Sequence, residues 1–458
     1  MAPATGPRSG TGRPRMMQSR SSEKPPSFLR VRLSFMMLLQ YAIWGAWLPL
    51  LYPFLSGHRG FSPGQIGDMF AIGAVGALFA PFIAGQIADR HFPTEKYLGI
   101  SHILGGILVW QLASISTYWG FLGFSLVYSL IYSPTLSLTN SISFHHLPDR
   151  DRDFGKVRLW GTLGWIMVGI GIGQWLLHRH TPSDAAEEVV RAAQAAGMAD
   201  AFRLSSILGI ALGIFCFTLP NTPPSKGEKR NAAMEAMGQV RRNPLLLLFL
   251  LAVPISCIHQ FYFVHTAGFL GGYQVKAASF INSIFGVGGG GLMTIGQIAE
   301  ITVLALIPLF AKKVSRKVLL AIGVGAYAIR MALFAYVDQI VGVTGLSPIA
   351  VLIPGIAMHG LCFGCFVFIA FMVVDEETTP DVRATAQSLF SVIIFGVGII
   401  VGSKIAGLVA DVALRPDGSL DYTKLFVYPM WGAVACLVLL LAAYPRRGPN
   451  EPIAAGVS

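Results

Sequence analysis

The stretch FGKVRLWGTLGW, Phe154 to Trp165, opens a long apolar segment and carries a cation, Arg158, a hydroxyl, Thr162, and an aromatic ring, Trp165. Residues at i, i+4 and i+7 share one face of a helix, so these three side chains project together from a segment that reads as membrane-embedded. An intramembrane charge is expensive and serves a pathway or a site. The competing reading is that Arg158, in the first turn, snorkels to the headgroups. Position alone does not separate the two.

Outward from this segment the chain repeats its character. Of 458 residues, 53% are hydrophobic and 12% charged, where a soluble protein carries about 25% charged residues. Apolar runs near 20 residues recur, the length that crosses a hydrocarbon core of about 30 Å. The expectation is an all-α polytopic membrane protein with twelve transmembrane helices, near 31–55, 64–88, 96–117, 119–146, 156–178, 202–220, 245–270, 290–311, 316–337, 348–374, 382–410 and 425–445. The net charge of +11 raises the question of nucleic acid. Its distribution argues against that partner, because the cations sit in alternate loops rather than on one basic domain. With the N-terminus inside, the cytoplasmic loops hold the large majority of the 34 Lys and Arg residues. That asymmetry places both termini in the cytoplasm.

Residues 1–29 are rich in Pro, Ser, Gly and Arg and read as a disordered cytoplasmic tail with no cleaved signal. The connection 221–244, with Lys226, Lys229, Arg230, Arg241 and Arg242, reads as a cytoplasmic linker between six-helix halves 30–220 and 245–445, followed by a tail, 446–458. GQIADRHFPTEK (Gly85 to Lys96) has a short echo in PLFAKKVSRK (Pro308 to Lys317), as an internal repeat would. The external loop Arg179 to Ala201 reads as a short surface helix. Gly288 to Gly291 lacks the Lys-Ser or Lys-Thr of a phosphate-binding loop, which counts against an ATP-driven pump. All five cysteines fall in apolar segments, and Cys362 and Cys365 read as small-residue packing rather than as a redox or metal pair. No cofactor is expected.

Three constellations carry chemistry. In MTIGQIAE, Gln297 and Glu300 stand i, i+3 on one face. A carboxyl desolvated in mid-span holds its proton more tightly than in water, so Glu300 is the best proton carrier in the chain. The alternative is a structural carboxylate neutralised by Arg158 or Lys404. The span near 245–270 carries His259, Gln260, Tyr262, Phe263 and His265, and that near 348–374 carries His359, Phe363 and Phe366. Such mixtures suit a ligand with a flat face and polar edges. Gln260 reads as a site residue, and the three histidines as packing or local hydrogen bonding. Finally, Asp89 and Arg90 end one span while Asp381 and Arg383 begin another, so breakable pairs among them are candidates for a conformational latch. Solvated loop charges are the alternative.

At LLQYAIWGAW (Leu38 to Trp47), YSPTLSLTNSISF (Tyr132 to Phe144), VRLWGTLGW (Val157 to Trp165), GQIAE (Gly296 to Glu300), IRMALFAY (Ile329 to Tyr336) and RATAQ (Arg383 to Gln387), the chain resembles the nucleoside:proton symporter family of the major facilitator superfamily. The stretches occur in the family's order across essentially the whole membrane domain. The resemblance implies two six-helix bundles in a bacterial inner membrane, moving a nucleoside-like solute with protons by alternating access, as a monomer and without bond-breaking chemistry. It also implies that Arg158, Thr162, Trp165, Gln260, Gln297, Glu300 and Phe363 bind substrate. Two positions depart from the pattern: Phe263 stands for an Asn, and Gly364 for an Asp that follows the aromatic residue. The other functional classes compatible with the sequence are proton-coupled efflux, facilitated transport of another ring-containing solute, and a sensor that binds solute without moving it.

Overall fold

The computed structural model describes residues 27–83, 92–223, 238, 240–275, 279–310, 313–379 and 382–445. Most of the expected tails and linker, and the latch candidates Asp89, Arg90 and Asp381, lie outside the described residues. Among the described residues the long helices are, in order, α1 (Phe28–Gly57), α2 (Pro63–Ile83), α3 (Thr94–Leu112), α4 (Tyr118–His146), α5 (Arg152–Arg179), α6 (Ala199–Cys216), α7 (Leu245–Gln274), α8 (Gly290–Phe310), α9 (Arg316–Ala335), α10 (Pro348–Glu376), α11 (Thr385–Val412) and α12 (Tyr422–Ala443). Among the described residues, ten segments have the length and apolarity to cross a membrane. Two more, α2 and α3, are 21 and 19 residues long and overlap the second and third expected spans. The short helix Glu187–Gly197 precedes α6, as the alanine-rich loop led one to expect.

The helix starts follow local chemistry. Asp149 accepts a hydrogen bond from the Arg152 amide at 3.0 Å, and Asp421 one from the Lys424 amide at 3.0 Å. Ser347 accepts from the Ala350 amide ahead of α10, whose first residue is Pro348. Each cap satisfies an amide that has no partner inside the helix. Large apolar side chains such as Leu309, Met167 and Trp431 stay more than half exposed, forming an outer surface that suits lipid rather than water.

Small residues let the helices approach closely. A side chain at Gly164 would lie 2.2 Å from the Leu38 carbonyl, which seats α5 against α1. In the same bundle α3 packs on α6 and α2 on α4; in the other, α7 packs on α11, α8 on α10 and α9 on α12. The two bundles meet through α2 with α11 and α5 with α8.

The two ends of the molecule differ. At the end opposite the chain termini the bundles are sealed. The Gly64 amide donates to Asp411 at 3.1 Å, Lys404 pairs with Asp68, and the Tyr118 hydroxyl donates to Asp68 at 2.7 Å. The Val287 amide donates to the Gly173 carbonyl at 3.0 Å, and the Gln174 amide side chain to the Ser283 carbonyl at 2.9 Å. Gly289, at φ +81°, turns the chain into α8 there, and a Cβ on it would lie 1.9 Å from the Ala267 carbonyl, so only glycine fits. At the end bearing the termini a cavity of about 710 Å³ lies open between the bundles, with Ser137, Asn140 and His145 of α4 facing Phe371 of α10 and Gln387 and Ser391 of α11.

Candidate functional site

The motif that begins α5 is held in place at its foot. Asp153, fully buried, meets Arg152 at 2.7 Å, Arg30 of α1 at 3.3 Å and Lys156 at 3.4 Å. One turn beyond, Arg158 does not snorkel freely: its guanidinium lies over the Tyr41 ring at 4.0 Å. Gly161 leaves room for that stack, since a side chain there would strike both Tyr41 and Arg158. Trp165, two turns on, packs on the backbone side of Gly45 and stands edge-on to Trp44 at 6.5 Å. Arg158, Thr162 and Trp165 are all half-buried, neither sealed in a core nor fully exposed.

On the facing bundle, Gln297 and Glu300 lie where α8 crosses α10. Gln297 is buried and its Oε1 has no partner among the described residues. An unsatisfied buried acceptor is costly, so a donor supplied by a ligand would relieve it. Glu300 stands on α8, the helix that packs on the α5 of Arg158 across the bundle boundary, and the two charges are within electrostatic reach. Its carboxylate also approaches His359 of α10, with Oε2 3.5 Å from Nε2. Gly360 makes this approach possible, because a side chain there would lie 2.4 Å from the Ala299 backbone.

Gln260 is buried, with its Cβ against Gly402 of α11, which places its base at the α7–α11 boundary. Phe363 is half-buried within a stretch of α10, Cys362–Phe368, where the helix adopts i to i+5 hydrogen bonding. Such wide turns are frequent at functional sites. The departure at Gly364 has a packing counterpart: a side chain there would meet Val303 of α8 at 2.6 Å, so the room an aspartate needs is filled. Phe263, the other departure, lies edge-on to His359 at 6.0 Å. The structure thus brings Arg158, Glu300 and Gln297 toward one interface and sets Gln260 along its α11 side.

The histidines are hydrogen-bonded, as their positions led one to expect. His265 bonds the Ala406 carbonyl at 3.1 Å, and His259 the Tyr327 hydroxyl at 2.7 Å. His359 goes further, linking Glu300 to the fully buried Arg330. Its adjacency to Glu300 depends on the α8–α10 crossing, which no sequence spacing encodes. One other reading changes: Lys404 does not neutralise Glu300 but pairs with Asp68 at the sealed end. Arg383 meets Asp375 at 3.6 Å within its own bundle, and its expected latch partners lie outside the described residues. Asp68 and Lys404 form an ion pair between the bundles; Asp68 stands near a span end, where solvated charges are ordinary and its sequence context carries no signal of a partner.

The chain is 32% identical to YegT of Escherichia coli (strain K12) over 430 residues, covering 92% of this chain and 94% of that protein. It is 27% identical to the nucleoside permease NupG of the same organism, covering 93% and 98%. The crystal structure of nucleoside transporter NupG superposes with a TM-score of 0.78 at 24% identity, over 92% of this chain and 100% of that one. A D-xylose–proton symporter structure shares the fold at a TM-score of 0.66 and 14% identity, over 91% and 98%. The family model described as Nucleoside H+ symporter matches residues 28–448, and the chain, a polytopic transporter rather than an enzyme, belongs to that family.

Proposed function

We propose that this protein imports nucleosides together with protons by alternating access. The observation that carries the reading is the placement of Glu300, a carboxyl within a span, on the helix α8 that packs across the bundle boundary on α5, the helix of Arg158. A single titratable carboxyl there links proton occupancy to the helices that must separate when access alternates. Family membership supports the substrate class and the coupling ion. The bias of Lys and Arg toward alternate loops supports an inner-membrane protein with both termini in the cytoplasm. In that orientation the cavity opens to the cytoplasm and the sealed end faces outward.

Arg158, Thr162, Trp165, Gln260, Gln297, Glu300 and Phe363 form the substrate site of this reading. Aromatic rings offer a base a surface to stack on, and Gln297 offers its unpartnered oxygen to a ring or ribose donor. Asp89, Arg90 and Arg383 are assigned to a cytoplasmic latch that is open when the cavity is open.

The test is uptake of labelled nucleosides by proteoliposomes under an imposed pH gradient, acid outside. Accumulation above equilibrium, abolished by a protonophore, is expected. Equilibration without accumulation would replace symport with facilitated transport, and binding without uptake would replace transport with sensing.

A further inference from the structure

Arg330 is fully buried on α9, lying over the Tyr262 ring at 4.4 Å and the Tyr327 ring at 5.0 Å. Its Nε and Nη2 have no hydrogen-bond partner among the described residues. Its Nη1 reaches Nδ1 of His359 at 3.3 Å. A guanidinium only donates, so Nδ1 must accept, and the ring proton of neutral His359 is then on Nε2. That nitrogen is the one 3.5 Å from Glu300 Oε2, a close approach rather than a formed hydrogen bond. Below the ring, His259 stacks on His359 at 5.4 Å, and Tyr262 does so at 4.9 Å, which holds the imidazole in plane.

We infer that His359 is a positioning residue for the proton-coupling step: Arg330 fixes it as the Nε2–H tautomer, and that N–H receives the Glu300 carboxylate once Glu300 gives up its proton. The inference deepens the proposed symport and rests on it. In the step, the Glu300 O–H bond breaks and the proton leaves to water, which reaches the partly exposed carboxyl. The carboxylate then accepts from His359, and no proton moves along the chain from Arg330. The other charged and titratable groups around the pair are Arg158 from α5, His259 and Tyr262 from α7, Tyr327 from α9 and Cys362 from α10. Of these, Arg158 is also a cation, but it belongs to the opposite bundle and moves relative to Glu300 when access alternates. Arg330 and His359 travel with Glu300, so they set its proton affinity in both conformations.

The experiment follows the carboxyl infrared signal of the purified full chain against pH, without substrate, with Glu300→Gln used to assign the Glu300 band. His359→Leu is expected to move the titration midpoint upward by about one pH unit, the size of one lost N–H donor to the carboxylate. His359→Gln is expected to hold the wild-type midpoint, because its amide oxygen accepts from Arg330 and its amide nitrogen donates to Glu300. Arg330→Gln provides the same upward shift should the leucine variant not fold. An unchanged midpoint in His359→Leu or Arg330→Gln overturns the inference, as does a glutamine variant displaced as far as the leucine one. Since no nucleoside enters this assay, failure of nucleoside uptake in wild type sinks the proposed function separately.

Discussion

Gly67→Val should force open the sealed end of the transporter. At this crossing α2 and α11 touch backbone to backbone: a Cβ on Gly67 would lie 2.7 Å from the Ser403 carbonyl and 3.0 Å from Gly407 Cα. Neither atom belongs to a flexible side chain, so the helices themselves must part. Overpacking of a close-packed contact costs about 1–3 kcal/mol. Because the strain is present only while this end is closed, about 2 kcal/mol of it shifts the open-to-closed ratio about 30-fold. The reporter is Ser403→Cys, buried beneath Gly67 in the closed form. All five native cysteines are buried, so a membrane-impermeant maleimide gives little background. Labelling from the face opposite the chain termini should accelerate about 30-fold in Gly67→Val, in proportion to the open population. Gly73→Val on the same helix is the control, as nothing lies within 4 Å of a Cβ there. Equal labelling of the two valine variants would refute the view that this glycine contact seals the end.

Three further outcomes follow from the same geometry. Glu300→Gln keeps the side-chain shape and cannot titrate, so counterflow exchange of nucleoside should persist while accumulation driven by a pH gradient disappears; continued accumulation would assign coupling to another group. Disrupting the Asp68–Lys404 pair in Asp68→Lys should raise the same maleimide labelling a few-fold, in keeping with about 1 kcal/mol for a partly exposed pair, and adding Lys404→Asp should bring it back; labelling that stays high in the double variant would show that the pair is not the latch. At the start of α12, the hydrogen bond from the Lys424 amide holds the Asp421 carboxyl below its usual range, with Arg415 adding to the effect. A carboxyl depressed on folding stabilises the protein above its unfolded value and loses that contribution as pH falls through the folded one. Asp421→Asn, which keeps the cap, should therefore remove part of the acid sensitivity of thermal unfolding, whereas Asp421→Ala should destabilise by about 1 kcal/mol near neutral pH.

Much of this molecule is legible before folding. Apolar runs of membrane-crossing length dictate helices, because a backbone in hydrocarbon must satisfy its own hydrogen bonds. Those runs and the i, i+4, i+7 face of Arg158, Thr162 and Trp165 are local properties, readable from spacing alone. The same holds for Glu300 as the carboxyl to watch, since a charge in mid-span is conspicuous wherever its helix packs. What spacing does not carry is which helices meet and at what height. His359 reads alone as a residue of packing or local hydrogen bonding, and only the α8–α10 crossing over Gly360 sets its Nε2 toward Glu300 with Arg330 behind it. Asp68 and Lys404 lie 336 positions apart and become a pair only where α2 crosses α11 through Gly67 and Gly407. Gly364 likewise reads as a missing acid, until the fold fills the space beside it with Val303. Periodicity is encoded residue by residue and decides the helices; contacts between helices depend on the complementary surfaces of segments far apart in sequence, and those only the tertiary structure decided.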